Sequence, residues 1–149
     1  MKKMVAIVMM LSIIMSATCA FAANTEIIIE GEKAIIAEGM GSIVEKDNRT
    51  FVPVRFLMEY FGFTVQWSDT DQVVIGRHEN GESFFMQVGN KQLFYFDNSG
   101  TKKNLDPMDV APYLNYSEAR TYVPLRFIAE AIGYKVGWDG TTQTVTLTK

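Results

Sequence analysis

Apolar positions along this chain change period from helical to alternating and back, and they do so twice. Phe56, Leu57, Tyr60 and Phe61 recur at i, i+1, i+4 and i+5, which predicts a helix over about Val54–Phe61 with one apolar face. Phe127, Ile128, Ala131 and Ile132 repeat the pattern and predict a second helix over about Leu125–Ile132. Pro53 and Pro124 stand just before these stretches, where a preset φ suits a helix start and the preceding valine is pushed into extended backbone. Gly62 and Gly133 stand where a left-handed residue ends a helix, each followed by an aromatic residue. The period then becomes two. Phe63, Val65 and Trp67 share one strand face, as do Tyr134, Val136 and Trp138. Turn residues follow at Ser68–Asp71 and Asp139–Thr142, and further strands are predicted at Gln72–Ile75 and Gln143–Thr148.

The two runs are copies. Between residues 49–75 and 120–146, at an offset of 71, 13 of 27 positions are identical. They include Pro53/Pro124, Arg55/Arg126, Glu59/Glu130, Gly62/Gly133 and Trp67/Trp138. A duplicated unit with one short helix points to a core that closes only against its copy. Two pseudo-repeats, about 26–78 and 79–149, are therefore expected to form a single domain. Both tryptophans continue the apolar face of their strands, so both are expected in the core, with similar losses on truncation.

Ahead of the first unit, Thr25–Ile29 and Ala34–Ala37 around Gly31 predict a hairpin. Ser83–Val88 and Gln92–Phe96 around Gly89 predict a second, matching the first. The spacing from hairpin to motif is longer in the second half, which places an insertion within Asp97–Ser117. Pro107 and Pro112 argue against a long regular element there.

The ends and the charge narrow the picture. Lys2 and Lys3, an apolar run over Met4–Met15 and Ala20-Phe21-Ala22 have the form of a signal peptide over residues 1–22, with Ala23 as the mature start. That run is too short for a membrane span, so no membrane insertion is expected after cleavage. Cys19 is not preceded by the residues of a lipobox. Cleavage leaves residues 23–149, one domain's worth of chain, without the sole cysteine, so stability must come from packing. The remaining 12 Lys and Arg against 17 Asp and Glu argue against nucleic acid and against anionic membrane surfaces.

Candidate chemistry is sparse. His78 is the only histidine, and a transition-metal site wants two or more convergent N or S ligands, so no metal or cofactor is expected. Asp69 and Asp71 lack the remaining positions of a Ca²⁺ loop. No nucleophile, phosphate-loop or zinc-protease motif occurs, and no spacing singles out a catalytic carboxylate pair. Arg55 and Arg126 precede Glu59 and Glu130 by four residues, which allows an exposed ion pair, burial against loop carbonyls, or a clamp on a ligand carboxylate.

The doubled motif RTFVPVRF and RTYVPLRFIAEAIG, each followed by a strand, resembles the copper amine oxidase N-terminal-like (stalk) domain family over nearly the whole mature chain. The resemblance implies an α+β module with antiparallel strands curled around short helices. It also implies a non-catalytic part, since copper and the quinone belong to a separate domain of the oxidases. Such modules occur in secreted and wall-associated proteins of Gram-positive bacteria. The reading that results is a non-enzymatic, secreted stalk-like module with a structural or binding role, its partner a cell-wall polymer or another surface protein. The alternative is a module recognising cell-wall glycan through exposed aromatics, with Tyr95, Tyr113 and Tyr116 as contacts among the aromatics of 94–116. A hydrolase built on an unrecognised carboxylate pair is a third class, without residues to assign.

Overall fold

A computed structural model describes residues 24–149; the signal segment expected over 1–22 lies outside the described residues. The described chain forms three four-stranded sheets and two short helices. It is mostly β with antiparallel pairing predominant, an α+β arrangement of curled sheets.

The central sheet holds β3 (Val44–Lys46), β4 (Arg49–Pro53), β9 (Tyr113–Asn115) and β10 (Arg120–Pro124), in the order β3-β4-β10-β9. Its middle pair is antiparallel with Val52 opposite Val123, both fully buried. The sequence pattern predicts extended backbone at these two valines only. The structure makes full strands, because each side pairs with the other and with its own hairpin partner. β3 and β4 turn through Asp47 and Asn48, both at positive φ, the geometry of a tight two-residue hairpin. β9 and β10 turn through four residues, 116–119. β9 is the one regular strand within the expected insertion, and Met108 anchors the loop ahead of it by full burial and an N–H bond to the Lys91 carbonyl at 2.8 Å.

Each middle strand runs through its proline into a helix, α1 (Val54–Tyr60) or α2 (Leu125–Ala131). Gly62 (φ +86) and Gly133 (φ +97) end them in the left-handed conformation. At α2 the Gly133 N–H bonds to Glu130 and the Tyr134 N–H to Ala129, at 3.0 and 2.9 Å, the paired bonds of a Schellman stop. The buried set of α1 is Val54, Phe56, Leu57 and Met58, while Tyr60 is exposed. This departs from the single stripe that the spacing predicts. The reason is that α1 is covered on two sides, by β5 (Phe63–Ser68) and by β10, just as α2 is covered by β11 (Lys135–Asp139) and by β4. Each helix thus rests on the middle strand that leads into the other helix.

The outer sheets take up the remaining strands. One has the order β5-β6-β7-β8, adding β6 (Val73–His78), β7 (Ser83–Gln87) and β8 (Leu93–Phe96). The other has the order β11-β12-β1-β2, adding β12 (Thr144–Thr148), β1 (Glu26–Ile29) and β2 (Glu32–Ala34). The two hairpins are not equivalent in pairing. β7 lies antiparallel to β6, whereas β1 lies parallel to β12. Matching the hairpins from their central glycines is thereby corrected: β6 and β7 are joined by a short turn, which enforces antiparallel pairing, while β1 reaches β12 from the far end of the chain.

Candidate functional site

Two grooves open where the outer sheets meet the central one. The larger, of about 720 Å³, includes Pro124, Arg126, Val136, Trp138 and Val145 in its lining, closed by Arg49 and Thr50 from β4. The smaller, of about 430 Å³, includes Pro53, Arg55, Val65, Trp67 and Val74, closed by Arg120 and Thr121 from β10. These residues correspond one to one at the offset of 71, so each groove takes its floor and helix arginine from one motif and its second arginine from the other.

The grooves differ in what fills them. In the smaller, Trp67 is partly buried against the core and its Nε1–H donates to the Asp69 carboxylate. Tyr116, carried on the four-residue turn, stands at the rim. In the larger, Trp138 is 46% exposed. This corrects the expectation that both tryptophans are core residues. Trp138 lies next to the end of the outermost strand of its sheet, and the facing β3–β4 turn is only two residues long, too short to cover it.

Arg126 and Glu130 form the i,i+4 pair at 3.5 Å, and Arg126 Nη1 also donates to the Val136 carbonyl at 3.0 Å, tying α2 to the edge of β11. Arg55 and Glu59 sit 3.9 Å apart, both half exposed. Arg49 meets Asp109 through Nε at 2.6 Å and Nη2 at 2.5 Å. Arg120 instead donates to the carbonyls of Gly39 and Ala119, at 2.7 and 3.3 Å, while its Nε is buried without a partner. Of the roles open to Arg55 and Arg126 the exposed ion pair is the one formed, and loop carbonyls are bound instead by the strand arginine Arg120, a residue that the sequence pattern matches between copies without singling it out.

The Arg49 hydrogen bond and charge hold the Asp109 carboxyl below the usual carboxylate range. A depressed carboxyl contributes stability above its unfolded value of about 3.9 and loses it as pH falls through the folded value. Both side chains are about half exposed, so solvent screening limits the pair to about 1 kcal/mol or less. Asp109→Asn is therefore expected to lower the urea midpoint slightly at pH 7 and not at pH 2.5. An equal loss at both pH values would mean that the ion pair is not the cause.

The three tyrosines proposed as contacts part company. Tyr95 is 1% exposed and packs beside Phe63, so it is not available to a ligand. On β8 it is Leu93 and Tyr95 that face inward and Phe94 and Phe96 that face out. Alternation alone could not choose between two equally apolar sets. Burial, with Glu82 nearby, raises the Tyr95 hydroxyl well above the ordinary tyrosine value. Tyr113 is half-buried, stacked on Tyr122 at 5.4 Å with the Lys46 ammonium 4.3 Å above its ring. Tyr116 is open, at 79%. The outward aromatics Phe85 and Phe94 stack on each other at 4.5 Å on the far face of the β5–β8 sheet.

His78 lies edge-on to Phe63, and its Nδ1 accepts the Asn80 N–H at 3.1 Å. No group of three or more His, Cys, Asp or Glu side chains among the described residues converges to hold a metal ion, so these residues do not fit copper. Nor is any helix among the described residues long and apolar enough to cross a membrane.

Fold and grooves together define a small α+β module whose open features are clefts lined by arginine, carboxylate and indole. Residues 28–147 match the family model described as the copper amine oxidase N-terminal domain, and the chain belongs to that family. In that family the domain is a non-catalytic, stalk-type module. Neither the curated proteins nor the solved structures include a match.

Proposed function

We propose that the protein is a secreted, non-catalytic stalk-like module that serves a structural or binding role at the cell surface or cell wall of a Gram-positive type bacterium. The observation that carries this reading is the extent of the family match, which takes in the chain from Ile28 to Leu147. Support for export comes from the charged, apolar and small-residue sequence ahead of Ala23. The module is built as two copies of a strand–helix–strand–strand unit within one domain. In favour of this, Val52 and Val123, partners at the centre of the middle sheet, are also partners at the offset of 71. The partner is a wall polymer or another surface protein.

Expression of the full chain in a Gram-positive host tests the placement. The expected product is recovered from the medium or wall fraction with Ala23 as its first residue. Uncleaved protein retained in the cytoplasm would overturn the reading, and a lipid-modified product beginning at Cys19 would replace a free module with an anchored one.

A further inference from the structure

Among the described residues Trp138 presents the one exposed indole, and it is set in a groove with charged side chains on either side. Its counterpart shows what has been removed. Trp67 Nε1 is held by Asp69, whereas the position 71 residues further on is Gly140, where a Cβ would come within 3.5 Å of Trp138 Nε1. The adjacent carboxylate, Asp139, is already engaged by the amides of Thr141 and Thr142 at 2.8 and 3.3 Å. No described residue accepts the Trp138 Nε1–H, so ring face and donor are both left for something outside the chain.

We propose that this groove is a binding site for an uncharged saccharide. A sugar ring offers an apolar C–H face that lies flat on an indole, and hydroxyls that both donate and accept. The groove supplies both kinds of partner. Trp138 Nε1 and Arg126 donate, and the carboxylates of Glu130 and Asp109 accept. Those carboxylates are already paired with Arg126 and Arg49, so they present planar hydrogen-bonding edges with their charge largely offset. Both can therefore accept a sugar hydroxyl. Across the lining, four carboxylates face two guanidinium groups, which disfavours acidic glycans. The other groove is not equivalent, because Asp69 already occupies its indole donor.

The inference rests on the reading of the chain as a non-catalytic binding module, and its test is separate from that of export. The purified protein is titrated with neutral β-linked hexose oligomers, both unsubstituted and N-acetylated, and followed by tryptophan fluorescence and calorimetry. Saturable binding is expected, at least tenfold weaker in Trp138→Ala and weaker in Glu130→Gln. It should be unchanged in Trp67→Phe, with the same melting temperature in Trp138→Phe as in the parent. The idea is sunk by no saturable binding to either neutral series, by binding that survives Trp138→Ala, or by binding confined to oligolysine or polygalacturonate. Loss of binding in protein that is still exported would remove this site and leave the proposed function standing. Binding by protein that is never exported would do the reverse.

Discussion

Cut between residues 78 and 79, the second half of this chain is expected not to fold. The expected result for fragment 79–149 is a broad, non-cooperative melt, against one sharp transition for the whole chain. The reason lies in where the strands find partners. β10 pairs on one side with β4, β12 with β1, and β7 with β6, so removing the first half bares one edge of three strands. It also uncovers α2, which packs on β4, and leaves Val123 without Val52. The fragment is 71 residues long, a length at which a core with its opposite wall removed cannot offset chain entropy. A domain of this size holds together by about 5–15 kcal/mol in total, and the contacts across the cut supply a large part of it. Differential scanning calorimetry decides the matter. Two resolved transitions in the whole chain, or a fragment that melts sharply alone, would show two independent domains.

Trp67→Ala is expected to cost about 3 kcal/mol, the lower end of the range for truncating a buried aromatic. Trp138→Ala is expected to cost about 1 kcal/mol or less, as for exposed positions. The two residues are matched in sequence and differ in surroundings. Trp67 packs against the core and holds Asp69, so its removal leaves a cavity and an unpaired carboxylate beside it. Trp138 is nearly half in solvent and holds no described partner. Chemical denaturation of the two single mutants, with the slope checked for constancy, measures the difference. Equal losses would mean that the second tryptophan is as deeply packed as the first, and the groove around it would then be closed.

Much of the architecture was legible in the residues because it is dictated locally. Prolines 53 and 124 preset the helix starts, and glycines 62 and 133 permit the left-handed stops. The alternation of Phe63, Val65 and Trp67 sets a strand whose first two members are buried. The doubled motif also names the family, and the family match agrees. Other features depend on what lies across a gap from each residue, and local pattern carries no such information. The middle sheet exists because β4 meets β10, and no periodicity within either five-residue strand announces its partner. Tyr95 went inward and Phe94 and Phe96 outward by register with β7, a choice between two faces that are equally apolar in sequence. The candidate site was hidden for the same reason. Two motifs with the same tryptophan predict the same environment, and only the fold reveals that Asp69 holds one indole beneath a four-residue turn, while the other, beside Gly140 and a two-residue turn, is left exposed. Backbone conformation is set by each residue's own sterics, but exposure is set by neighbours distant in sequence, and here those neighbours are not the same for the two copies.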